Sequence, residues 1–359
     1  MRITIVSASM DNSGGFRVVA TLGQQLMKRG HSVCVIAPQR PKLRFIDRVK
    51  AHLTGKEIPI EIVPCDYLGT LPAVHIDHPA PLMPADLPDA DIIIGTWWET
   101  MEWIADLPIE KGAKLHLVQD YEVWSYQNSA AVDRVLNFDC PKIAISGFLY
   151  NLLVDNFNSR EVYLINNAVD HNLFFADERT KQNSLTVGFT YSCGLRKGAD
   201  LIIKAVTKAR ESYPELKVIA FGHYPPQGYI PVPEWIEFHV DPKQEDIKLL
   251  YAGCDAWLFG SRSEGFGLPI LEAMACRTPV IAMPAGAAPD LLGDGAGILV
   301  GDQDWEAMAQ AILDLTTMPN AAWLELSRRA HSRALENQWD IVGEKLENVL
   351  INILEQSRS

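Results

Sequence analysis

The chain has 359 residues, 48% of them apolar and 21% charged, which is long for one hydrophobic core and ordinary for water-soluble globular proteins. Two domains are expected, and disordered or fibrous classes are excluded. Asp and Glu outnumber Lys and Arg by 45 to 32, a net charge of −13, so the average surface repels phosphate backbones. Nucleic acid is not an expected partner, and any phosphate site must be local.

The N-terminal MRITIVSASM reads as a first β-strand, too short for a signal-peptide core or a membrane span. Apolar runs ITIVSA, SVCVIAP, DIIIGTW, KLHLVQ and KIAIS then alternate with helical patterns, the rhythm of βαβ units around a parallel sheet. The first helix, from about Phe16, ends at Gly30, where Lys28 and Arg29 suit the negative helix end. Residues Lys42 to Lys56 combine Leu43, Phe45, Ile46, Val49 and Leu53 with Lys42, Arg44, Arg48 and Lys50. This basic amphipathic pattern suits either peripheral contact with an anionic membrane surface or a helix that stays in water. Aromatic and acidic residues follow two strands, at Trp97, Trp98 and Glu99, and at Asp120, Tyr121, Glu122 and Trp124. Aromatic faces and carboxylates suit a sugar acceptor, although a tryptophan pair is also ordinary core material.

Residues 166–184 carry no sustained period, and the linker is expected inside them. The α/β rhythm then restarts with SLTVGFTY, a helix from Ala199 to Ser212, LKVIAFG, DAWLFGS and PVIAM, and the chain closes in helical pattern from Ala321 with a last segment from Trp339. Expected units are 1–170, 171–335 and a C-terminal helix, 336–359, packing back on the first. The six cysteines, at 34, 65, 140, 193, 254 and 276, show no close pairing, which fits reduced thiols in the cytoplasm rather than zinc or disulfides.

The most informative segment is DAWLFGSRSEGFGLPILEAMACRTPVIA, a buried strand, a glycine-rich turn and a helix that Pro269 starts. Ligands bind at such strand ends. Gly265 and Gly267 let backbone amides approach a ligand closely, and the helix start offers unpaired N–H groups to phosphate. Glu264 and Glu272 flank this turn. A carboxylate with two acceptor oxygens matches a vicinal diol, as on a ribose or a sugar ring. A pyrophosphate also needs cations, and YSCGLRKGADL supplies Arg196 and Lys197 at a helix start.

These residues resemble the family-4 glycosyltransferases, whose signature is a Glu, seven residues and a second Glu within an EGFGLP-type segment. The resemblance implies the α/β GT-B fold, two Rossmann-like domains whose parallel sheets face a central cleft. It also implies a retaining transferase that takes sugar from a nucleotide-diphosphate sugar without metal or other cofactor. By resemblance Glu264 contacts the transferred sugar, and the amides of Gly265, Phe266, Gly267 and Leu268 hold sugar and pyrophosphate. Glu272 takes the ribose hydroxyls and Lys197 the phosphates, where either Arg196 takes over the contact of the family's Arg or Lys197 and the loop amides hold the pyrophosphate. Gly14 and Gly15 match the position of the family's first-domain glycine loop. Arg17, Trp97, Trp98, Tyr121, Glu122 and Trp124 are the acceptor-side candidates, for a glycan, lipid-linked or small-molecule acceptor in polysaccharide or cell-envelope synthesis.

Asp120 stands where many members carry a catalytic-site His, and the QDYE run is similar to a rhamnosyltransferase-like subgroup. Catalytic candidates are therefore Asp120, Lys197 and Glu264. Ser192 replaces a phosphate-binding Arg, Ala168 and Arg277 replace glycines, and Asp290 replaces a Glu. The same residues also suit a nucleotide-sugar epimerase or hydrolase, or a silent sugar-nucleotide-binding module.

Overall fold

The computed structural model describes residues 1–38, 65–123, 129–157, 159–226 and 230–358. They form two compact units: Met1–Ala144 with Tyr150–Ile165 and Gly343–Ser359, and Ile145–Leu149 with Asn166–Val342. The basic amphipathic segment 42–56 and Trp124 lie outside the described residues. Among the described residues no helix is long and apolar enough to cross a membrane, and all six cysteines are free thiols.

The first unit is built on seven parallel strands: β1 (Arg2–Val6), β2 (Ser32–Pro38), β3 (Ala73–Ile76), β4 (Ile92–Gly95), β5 (Ala113–Val118), β6 (Lys142–Ala144) and β7 (Val162–Leu164). They lie in the order β3-β2-β1-β4-β5-β6-β7. Such a sheet is covered on both faces, which is why Ile92, Ile93 and Ile94 are all buried in succession. The helix Gly14–Lys28 starts where the Ser13 side chain accepts the Phe16 N–H at 3.3 Å, and it stops at Gly30, φ +84°.

The last helix, Trp339–Arg358, returns to this unit through its C-terminal part. Glu347 pairs with His31 Nε2 at 2.8 Å and with Arg29 Nε at 3.6 Å. Leu346 reaches Ile5, Val19 and Leu22 across a small apolar cavity, while a Cβ at Gly343 would stand 2.7 Å from Arg29 Nη1. The missing side chain is what lets the helix approach.

The second unit repeats the scheme with β8 (Thr186–Thr190), β9 (Lys217–Gly222), β10 (Glu237–Val240), β11 (Ala256–Phe259), β12 (Val280–Ala282) and β13 (Ile298–Leu299). Their order, β10-β9-β8-β11-β12-β13, is again all parallel. Counted from its own first strand, the second sheet runs 3-2-1-4-5-6, the doubly wound order, and the first runs the same with a seventh strand added beyond β6. The topological switch points lie between β1 and β4 and between β8 and β11, where ligands bind at the carboxyl ends of the strands. The core of this unit includes the fully buried Trp257 and Trp323, and Trp323 donates its indole N–H to the Asp255 carbonyl at 2.9 Å.

Candidate functional site

The loops that leave β8 and β11 are neighbours because their strands are neighbours. After β8 the chain makes a short turn at Leu195–Lys197, and Gly198, at φ +67°, opens the helix Ala199–Ser212. A Cβ on Gly198 would stand 1.7 Å from the Gly260 carbonyl oxygen, and one on Gly260 would stand 2.7 Å from Ile202 Cγ1. The two loops therefore meet backbone to backbone, and only glycine fits at the meeting point.

Arg262 fastens the same contact. Its N–H donates to the Arg196 carbonyl at 2.9 Å, its guanidinium bonds the Leu195 carbonyl, and it forks onto Asp200 at 2.8 and 2.7 Å. That pairing holds the Asp200 carboxyl below its usual range, and the matching effect raises Arg262.

The clamp delivers Lys197 to Glu264: the ammonium lies 2.6 Å from both carboxylate oxygens. Arg196 Nη1 adds contacts to the Ser263 carbonyl at 3.2 Å and to Glu264 Oε2 at 3.4 Å. Glu264 is buried, whereas Lys197 and Arg196 are half-buried, so the cations stand on the solvent side of the carboxylate. Ser192, at the position of the absent Arg, accepts the Gly194 N–H at 3.3 Å. The positive charge at this edge is supplied by Arg196 and Lys197.

Gly265, Phe266 and Gly267 are buried in the turn that follows. Gly267 adopts φ +102°, and a Cβ there would stand 2.9 Å from the Phe259 ring. Phe266 accepts the Ala287 N–H at 2.8 Å. It is held by Gly286, φ +59°, whose Cβ would lie 2.6 Å from the Phe266 oxygen. The turn leads through Leu268 and Pro269 into the helix Leu268–Ala275, whose Glu272 is 7% exposed. Glu272 Oε2 accepts a hydrogen bond from the hydroxyl of buried Tyr251 at 2.8 Å. Arg277, φ +59°, occupies a left-handed conformation that glycine enters without strain, and its Nε bonds the Ala176 carbonyl at 3.0 Å. Buried Ala168 lies in the linker, and Asp290 accepts the Gly147 N–H at 3.2 Å.

The corresponding edge of the first unit gathers the ends of β4 and β5. Glu122 is buried and accepts the Trp98 N–H at 2.9 Å. Burial pushes its carboxyl well above the usual range, Asp120 and Glu99 add to that push, and the Trp98 N–H opposes it. Asp120 caps the Tyr121 N–H at 2.8 Å, and the Tyr121 hydroxyl donates to Asp133 at 2.9 Å. Trp97 precedes the helix Trp98–Ile104, with its N–H bound to Thr100 Oγ1 at 3.0 Å. Arg17 lies over the Tyr67 ring at 6.0 Å. Gly14 and Gly15 open their helix at the surface, and a Cβ on Gly15 would stand 3.9 Å from Gln119 Oε1. That Gln119 oxygen and the Trp98 indole N–H are buried without hydrogen-bond partners among the described residues.

Sequence reading does not single out Tyr251, the close approach of Gly198 to Gly260 or the Arg262–Asp200 clamp. The partners in each contact are distant in sequence, so the local signal is a tyrosine, a glycine or a charged residue in an ordinary pattern.

Two doubly wound parallel sheets, each with its chemistry-bearing loops at the carboxyl edge, define the α/β GT-B class. Residues 170–337, which lie within the second unit, match the family Glycosyl transferases group 1. A GDP-mannose-dependent monoacylated alpha-(1-6)-phosphatidylinositol monomannoside mannosyltransferase of Corynebacterium glutamicum is 29% identical over 43% of this chain and 44% of its own length. The O-antigen chain mannosyltransferase B of Escherichia coli is 34% identical over 30% of this chain and 27% of its own. The chain thus spans less than half the length of these relatives. In fold it is similar to sucrose-phosphate synthase from Thermosynechococcus elongatus, TM-score 0.76 at 18% identity, covering 99% of this chain and all of that one. It is also similar to HepE of Anabaena in complex with UDP and glucose, TM-score 0.74 at 16% identity, covering 98% of this chain and all of that one.

Proposed function

We propose that this chain is a retaining, metal-independent glycosyltransferase that moves a sugar from a nucleotide-diphosphate sugar to a glycan or lipid-linked acceptor of the cell envelope. The observation that carries the reading is the Lys197–Glu264 pair, 2.6 Å apart, at the switch point of a nucleotide-type sheet. In this reading Lys197 and Arg196 leave Glu264 for the donor pyrophosphate. Glu264 then accepts hydroxyls of the transferred sugar, amides of Gly265 to Leu268 hold sugar and phosphate, and Glu272 holds the ribose.

As the bond from the anomeric carbon to the phosphate oxygen breaks, negative charge grows on the leaving nucleoside diphosphate. Lys197 and Arg196 are placed to stabilise it. The acceptor oxygen bonds the same face of the anomeric carbon, and its proton passes to the departing phosphate oxygen. Fixed cations take the role that a metal plays at other pyrophosphates. In the first unit, Asp120 orients the acceptor hydroxyl, with Glu122, Trp97, Trp98 and Tyr121 around the acceptor.

The GDP-mannose-dependent relative makes GDP-mannose the first donor to try, and the HepE complexes make UDP-glucose the second. Incubation with each donor, with and without lipid-linked acceptor, tests the reading. Nucleoside diphosphate released with inverted product, or only in the presence of divalent metal, overturns the retaining or the metal-independent part. Peripheral binding through residues 42–56 belongs to the same proposal, and failure to float with anionic liposomes at low salt removes it.

A further inference from the structure

Glu272 sits on a helix in a buried setting, and a glutamate has three rotatable bonds. A carboxylate that must meet a ribose diol in one orientation needs something to fix its plane. Tyr251 supplies that constraint. It lies in the last turn of the helix Gln244–Ala252, is wholly buried, and directs its hydroxyl at Glu272 Oε2 at 2.8 Å.

The phenol is itself held from several sides. Its ring stacks edge-on to Trp257 at 4.4 Å, to Phe221 at 5.9 Å and to Phe174 at 6.0 Å. Its carbonyl accepts the hydroxyl of buried Thr278 at 2.7 Å, and that threonine follows the helix carrying Glu272. The helices Gln244–Ala252 and Leu268–Ala275 are thereby tied at both ends of the tyrosine.

We propose that Tyr251 is a positioning residue for the nucleotide: its hydroxyl holds the Glu272 carboxylate in the orientation that accepts the ribose hydroxyls of the donor. The inference rests on the ribose role given to Glu272 above. Tyr251 does not touch the donor; it acts through Glu272. A tyrosine packed only for its ring would have no effect on how the protein tells one sugar moiety of the nucleotide from another.

The test compares wild type, Tyr251→Phe and Glu272→Ala. UDP, GDP and ADP are first screened by calorimetry, and the tightest binder is then compared with its 2′,3′-dideoxy counterpart. Wild type is expected to prefer the ribonucleotide. Glu272→Ala is expected to lose the preference, which establishes the ribose contact. Tyr251→Phe keeps the ring contacts and is expected to melt within a few degrees of wild type. It should weaken ribonucleotide binding about tenfold, roughly the worth of a hydrogen bond to a charged group, and leave the dideoxy nucleotide unchanged.

If Glu272→Ala loses the preference while Tyr251→Phe keeps it in full, the positioning role is wrong and the ribose role of Glu272 stands. If Glu272→Ala keeps the preference, both fall together. An equal loss for both nucleotides in Tyr251→Phe marks a purely structural residue and also overturns the proposal.

Discussion

Replacing Gly198 with alanine tests whether the meeting of the two loops sets the site. The new Cβ would stand 1.7 Å from the Gly260 carbonyl oxygen and 2.5 Å from its carbon, against 3.4 Å for ordinary contact. One loop must therefore retreat by about 1.7 Å, with no flexible side chain to absorb the shift. The left-handed φ of +67° adds about 1 kcal/mol for a residue with a side chain. The displaced loop carries Lys197, now 2.6 Å from Glu264, and a misplacement of about 1 Å in a catalytic constellation costs roughly a hundredfold in rate. Gly198→Ala is thus expected to lose at least about 1 kcal/mol in urea unfolding and about a hundredfold in turnover. Gly293→Ala serves as control, since nothing lies within 4 Å of its Cβ position. A Gly198→Ala protein with wild-type stability and turnover would refute the loop argument.

Other consequences follow from buried charge. His116, fully buried beside Lys142, is held at about 3 by burial and then by that lysine. The folded state therefore binds fewer protons than the unfolded one between pH 6.5 and 3, and stability falls as pH drops through this window. His116→Leu should flatten that dependence, removing about 2 kcal/mol of the loss between pH 6.5 and 5 in urea titrations; an unchanged slope contradicts it. Glu122 shows the opposite sign: its raised carboxyl makes the folded state hold a proton that the unfolded chain releases. Stability is then lost as pH rises above the ordinary carboxylate value, so Glu122→Gln should raise the melting temperature at pH 7 and leave it unchanged at pH 4. A fall at pH 7 would show Glu122 to be a stabilising anion. Arg262→Lys keeps the charge and loses the fork onto Asp200, and should lower kcat more than it changes nucleotide affinity, measured by steady-state kinetics.

Much of the fold is legible in the chain because parallel strands, buried on both faces, leave continuous runs such as DIIIGTW and DAWLFGS. Glycine-rich turns then mark their carboxyl ends. The segment from Ala256 to Glu272 is legible for the same reason, being one strand, one turn and one helix. What fixes those residues is not local. Glu272 meets Tyr251 across 21 positions, Glu264 meets Lys197 across 67, and Glu347 meets His31 across 316. Hydrophobic period carries no trace of such pairs. The first-unit edge is harder still, because burial rather than residue type sets Glu122 apart from Asp120 and Glu99. Tyr121, read as an acceptor-facing ring, spends its hydroxyl on Asp133.

The most direct measurement is calorimetric titration of wild type, Lys197→Ala and Glu272→Ala with GDP-mannose and UDP-glucose, followed by assay of nucleoside diphosphate release. One donor should bind to wild type with slow release, speeding with acceptor. Glu272→Ala should weaken binding, and Lys197→Ala should cut release by orders of magnitude, since each charge-assisted contact to the leaving group is worth about 2 kcal/mol or more. Binding and release in both variants equal to wild type would contradict the assignment of this edge as the donor site.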